Sequence, residues 1–110
     1  MLTLDLRPSY LRMLLDILER HTPNAEVWAY GSRAGSDAHE GSDLDLVIRN
    51  PGSLNQPQRD IHRLKGALVE SKLPILVDVL DWARISEKFR DEIQQRHVVL
   101  IPSGKSPQTK

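Results

Sequence analysis

Residues 30–47 read "YGSRAGSDAHEGSDLDLV", and this stretch decides the fold. Gly31 and Ser32 end a short aromatic and β-branched segment, Glu26 to Tyr30 ("EVWAY"). Asp43 and Asp45 open a second such segment, Asp43 to Arg49 ("DLDLVIR"), which Asn50-Pro51-Gly52 closes. Both compositions predict β-strands bounded by turn residues. Residues i and i+2 of a strand share a face with their α-carbons about 6.6 Å apart. Asp43 and Asp45 therefore project together, while Leu44 and Leu46 turn the other way. The two acids repel, and folding alone supplies no reason for the arrangement.

Chemistry supplies one. Two carboxylates at this spacing can share a pair of divalent cations about 3.5–4 Å apart. Hard oxygen donors suit Mg²⁺, which keeps some waters and completes its shell with substrate phosphates. The other end of the stretch predicts the phosphate site. Gly31 lets backbone approach a ligand, and Ser32 to about Ser36 reads as a short helix whose N-terminus offers free N–H groups. The Ser32 hydroxyl adds a donor, and Arg33 is a candidate phosphate contact.

Outward from this stretch, Leu11, Leu14, Leu15 and Leu18 recur at helical spacing. They predict an amphipathic helix from about Pro8 to His21, with Asp16 and Arg20 as an i,i+4 pair. Pro57 to about Ser71 reads as a second helix with Ile61, Leu64 and Leu68 on one side, weakened at Gly66. Ile75 to Leu80 ("ILVDVL") reads as a third strand, nearly all apolar and therefore expected at the centre of the sheet. Ser86 can cap a helix carrying Phe89 and Ile93, and Val98 to Ile101 reads as a last strand. The fold class is α/β (α+β), a small mixed sheet packed with helices. Residues 1–102 are expected to form one domain and residues 103–110, which have nothing to bury, a flexible tail.

The bulk numbers narrow the function. The chain has 110 residues, with 15 basic and 15 acidic side chains and no cysteine. The balance of charge gives no general electrostatic grip on nucleic acid or an anionic membrane. Without cysteine there is no disulfide frame or zinc–thiolate site, which fits a reducing compartment such as the cytoplasm. No segment approaches the roughly 20 apolar residues that a membrane-spanning helix needs.

Gly31-Ser32, ten residues, then Asp43-Leu44-Asp45 resembles the "GS, ten residues, D-x-D" signature of the polymerase β-type nucleotidyltransferase superfamily. Four fixed positions should match by chance in only about one chain in a thousand of this length. The superfamily also carries a third carboxylate on a later strand, flanked by apolar residues, and "LVDVL" offers Asp78 in that setting. A lone acid inside an apolar strand is expensive to bury unless a metal or a donor meets it. Asp81 competes, but it falls on the opposite face if the strand continues.

The whole ordered chain is similar to the minimal nucleotidyltransferase (MNT) family, on "VWAYGSRA", "GSDLDLVI", "LPILVDVLDWARIS" and "VVLIP". The resemblance implies the polymerase β-type nucleotidyltransferase fold and an antitoxin partnered with an all-helical HEPN toxin. It implies transfer of AMP from ATP to a tyrosine hydroxyl of that toxin. It also implies that Asp43 and Asp45 hold two Mg²⁺ ions, that Asp78 binds the ion activating the incoming hydroxyl, and that Gly31 and Ser32 bind the β- and γ-phosphates. Gly35 stands where many relatives have a second arginine beside Arg33. The rival expectations are neutralisation of a toxin by binding alone, and nucleotidyl transfer to a small molecule or a nucleic acid. Because the catalytic core takes up nearly the whole chain, the acceptor is expected to be another protein, or the site to be completed by a homo-oligomer.

Other residues read more plainly. His39 is expected to be an exposed loop residue, and His21, His62 and His97 show no ligand spacing. Trp28 and Trp82 are expected in the packing. Arg90 to His97 matches the R-x(4–6)-H pattern of HEPN nucleases, but three credible strands rule out that all-helical fold.

Overall fold

The computed structural model describes residues 6–31 and 43–102. Helix α1 (Pro8–His21) begins on a proline, whose missing N–H is no loss in a first turn. Arg20 Nη2 donates to Asp16 Oδ2 at 2.9 Å, as their spacing predicts. Beyond the helix, the Thr22 hydroxyl donates to the Leu18 carbonyl at 2.7 Å and satisfies one of the last free acceptors. Strand β1 (Glu26–Tyr30) follows, then β2 (Leu44–Arg49), helix α2 (Ile61–Glu70) and strand β3 (Val77–Asp81). One 3-10 turn (Trp82–Arg84) leads to helix α3 (Glu87–Gln95) and strand β4 (Val98–Ile101). Ser86 caps α3 by accepting from the Phe89 N–H, as expected.

The sheet is mixed, with strand order β3-β2-β1-β4. β1 pairs antiparallel with β2 and with β4, and β2 pairs parallel with β3. Alternation along the strands sorts side chains onto two faces. Val27, Ala29, Leu44, Leu46, Ile48 and Val79 join Leu14 and Leu18 of α1 and Leu64 and Leu68 of α2 in the larger core. Leu14 and Leu64 have no solvent exposure, so truncating either to alanine should cost about 2–5 kcal/mol. The opposite face carries a smaller cluster of Trp28, Val47, Trp82 and Ile93, with Tyr30, Leu80, Ile85 and Phe89 around it.

The structure corrects the expectations for β3 and α2. β3 is an edge strand, not a central one. Its apolar run reflects burial on both faces, Val79 toward α2 and Leu80 toward the tryptophans, rather than neighbouring strands on both sides. The "ILVDVL" strand also starts two residues late, at Val77, and Leu76 before it is 74% exposed. Helix α2 begins at Ile61 rather than near Pro57. The preceding segment is held in another way, because the Gln58 N–H donates to Asp81 Oδ2 at 2.8 Å. The expected short helix after Ser32 and the expected tail at 103–110 lie outside the described residues.

A buried ion pair crosses β1 and β2 on the smaller-core face. Glu26 and Arg49 are register partners, 8% and 9% exposed, and the Arg49 guanidinium donates to Glu26 Oε1. Trp28 Nε1 donates to the other oxygen, Oε2, at 2.9 Å. The guanidinium lies 3.9 Å from the Trp28 ring centroid and 4.5 Å from that of Trp82, where the ring faces attract a cation. His97 stacks on Trp28 at 3.8 Å, and Arg90 donates to the Trp82 carbonyl at 2.9 Å. Both ends of the nuclease-like Arg90–His97 pattern are therefore occupied in packing. Among the described residues no helix is long and apolar enough to cross a membrane.

Candidate active site

β1 ends at Tyr30, whose register partner on β2 is Asp45. Asp45 in turn is paired with Asp78 on β3. Register partners on neighbouring strands point to the same face, so Tyr30, Asp45 and Asp78 form one row across three strands. Asp43 is exposed and sits one residue before β2, so it is not part of the strand as its composition suggests. Its carboxylate nevertheless acts on the same spot. The Asp45 carboxyl is held above the usual carboxylate range by burial first, then by the negative charges of Asp78 and Asp43. The alternation of Asp43 and Asp45 thus brings two acids together, and strand pairing adds Asp78.

Gly31 explains how Asp45 takes this place. Its φ is +81°, in the left-handed region, and a Cβ built there would overlap Asp45 Oδ2. Only a residue without a side chain lets the carboxylate lean over the end of β1. Asp78 is exposed. The expected price of burying it does not arise, because β3 is the sheet edge and that end of the strand is open. Asp81 faces away, as its offset predicts. It is 6% exposed and accepts from the Gln58 and Ala83 N–H groups, so it fastens the β3 end rather than joining the row. Ser32, Arg33, Gly35 and His39 lie outside the described residues.

The donor set suits a hard cation. Three carboxylates contribute only oxygen, and the repulsion recorded at Asp45 is what a bound divalent ion would relieve. Among the described residues no group of three or more His, Cys, Asp or Glu side chains stands close enough together to hold a metal ion.

Tyr30 is a site residue that the sequence marks only as a strand end. It is half-buried, and its ring meets Phe89 of α3 edge-on with centroids 5.7 Å apart. Burial, then the charges of Asp45 and Asp78, push its phenol well above the usual value, so it stays protonated. Only the pairing of β1 with β2 reveals its position. Residues 31–43 separate the two strands, too long a connection for turn chemistry to set that register from sequence.

A family model described as "Nucleotidyltransferase domain" matches residues 11–101. The chain belongs to the nucleotidyltransferase domain family. This nucleotidyltransferase is 44% identical over 103 residues to the "Probable protein adenylyltransferase MntA" of Haemophilus influenzae, covering 94% of this chain and 89% of that one. Its fold is similar to a solved toxin–antitoxin with AMP-PNP, at a TM-score of 0.68 and 18% identity. It is likewise similar to a mutant of the toxin–antitoxin MntA-HpeT, at 0.67 and 15%. Each of these matches covers 86% of this nucleotidyltransferase and 74% of the solved chain.

Proposed function

We propose that this nucleotidyltransferase moves AMP from ATP to a tyrosine hydroxyl of a HEPN toxin and serves as that toxin's antitoxin. The observation that carries the reading is the row of Asp45 and Asp78 in register, with the charge of Asp43 also acting on Asp45. The 44% identity to a probable protein adenylyltransferase favours a protein acceptor. The likeness to toxin–antitoxin structures favours a toxin as that protein.

In this reading the acceptor oxygen attacks the α-phosphorus, a P–O bond forms there, and the bond to the leaving pyrophosphate breaks. The acceptor proton passes to Asp78, the exposed carboxylate of the row. Asp43 and Asp45 would hold two Mg²⁺ ions, with Asp78 as a further ligand. Those ions would neutralise the phosphates and favour charge developing on the leaving group. Gly31, Ser32 and Arg33 take the phosphate tail. Residues 1–102 act as the transferase unit, in the cytoplasm, with residues 103–110 as an appendage.

The test is incubation with α-labelled ATP, Mg²⁺ and a candidate HEPN partner protein. Label on a toxin tyrosine, lost with Asp78→Asn, is the expected result. Absence of transfer from a protein that binds Mg²⁺–ATP would remove this acceptor.

A further inference from the structure

We infer that the Tyr30 hydroxyl is a further catalytic group of this site, donating a hydrogen bond to the terminal phosphates of the bound nucleotide. The inference rests on the nucleotidyl-transfer reading above and adds a residue to it.

Three observations place the group. Tyr30 is the last residue of β1 and immediately precedes Gly31, the glycine over which the Asp45 carboxylate leans. It is the register partner of Asp45, which is itself paired with Asp78, so its side chain belongs to the acidic row. Its ring is fixed from behind by Phe89, edge-on at 5.7 Å, and by the apolar cluster of Trp28, Val47, Trp82 and Ile93.

A pure packing role calls for a ring but not for a hydroxyl. Phenylalanine would fill the Phe89 contact equally well, so packing does not account for a hydroxyl on which the charges of both Asp45 and Asp78 act. Among the described residues Tyr30 makes no hydrogen bond through that hydroxyl. A neutral phenol can donate to an anion without adding charge to the site. Held by a rigid strand end, it would lose little freedom on binding, unlike a lysine or arginine. The reading above gives the neighbouring carboxylates to the metal ions, and the anion left for the hydroxyl is the phosphate tail, which gains charge as pyrophosphate leaves.

The test compares the full chain with Tyr30→Phe, which keeps the ring and its contact with Phe89. Affinities for AMP-PNP and for inorganic pyrophosphate, each with Mg²⁺, are measured by calorimetry, and thermal unfolding is followed without ligand. The expected result is roughly a tenfold loss of affinity for both ligands, with an unchanged melting temperature. Unchanged affinity for both overturns the inference, as does a loss confined to AMP-PNP, which would put the hydroxyl on the nucleoside. Loss confined to pyrophosphate overturns it too. Failure of the unaltered chain to bind Mg²⁺–AMP-PNP would bring down the transfer reading and this inference together.

Discussion

The Asp45 carboxylate lies where a side chain on Gly31 would begin. The first half of the signature therefore acts on the second: the glycine after β1 makes room for the acid on β2. In Gly31→Ala the backbone conformation at φ +81° costs about 1–2 kcal/mol, and Asp45 must move. The expected outcome is a melting temperature lower by roughly 5–10 °C. Transfer activity should fall much further than that loss of stability explains. Activity retained at half or more of the original would mean that Asp45 does not need its present position.

Gly66 offers the opposite case. It lies inside α2, and a methyl group added there would meet nothing within 4 Å. Gly66→Ala should stabilise the protein by up to about 1 kcal/mol and leave transfer unchanged. Chemical denaturation would check this, and a lower midpoint would contradict it.

The acidic row gives the metal-free protein a pH dependence of definite sign. Asp45 has a folded pKa above its unfolded one, so the folded state holds its proton more tightly. Stability should then fall as pH rises from about 4 through the raised value. Asp45→Asn should flatten this slope and leave the metal-free protein at least as stable at neutral pH. Melting curves from pH 4 to 7 would measure it, and an undiminished slope in the variant would assign the effect to other groups.

Mg²⁺ with nucleotide should stabilise the fold by mass action, by about 2.7 kcal/mol at a hundred times the dissociation constant, and so raise the melting temperature. Asp43→Asn should abolish most of that rise. The same variant, with Asp45→Asn, separates chemistry from occlusion in cells. Loss of toxin neutralisation while the two proteins still copurify means that transfer is required. Full neutralisation means that binding alone suffices.

The Glu26–Arg49 pair predicts a strong single-site effect. Arg49→Met strands a buried carboxylate with only the Trp28 N–H, which should cost about 3–5 kcal/mol and lower the melting temperature by more than about 10 °C. Adding Glu26→Gln should recover much of the loss. A double variant no better than Arg49→Met would show that the stacking on Trp28 and Trp82 matters more than the charge pair.

Local pattern carried most of the fold. The leucines of α1, the β-branched strands and the Ser86 cap all stand where their spacing puts them, because each depends on neighbours a few residues away. What escaped depends on partners distant in sequence. The apolar run of β3 shows that both faces are covered but not that the strand is outermost. Asp81 was separated from Asp78 by alternation alone, yet its hold on Gln58 required the folded chain. Tyr30 and Arg49 both read as strand ends, and only the pairing with β2 and β1 shows one beside the acids and the other buried between indoles.

The packing beside the acidic row has a practical consequence. The chain has only two tryptophans, and both belong to the cluster that also holds Tyr30 and Val47, the latter two residues along β2 from Asp45. Their ultraviolet emission therefore originates on the same face of the sheet as the carboxylates, one alternation further along the strands. Occupancy of that end of the sheet can be followed optically in the unlabelled molecule, with no dye attached near the chemistry.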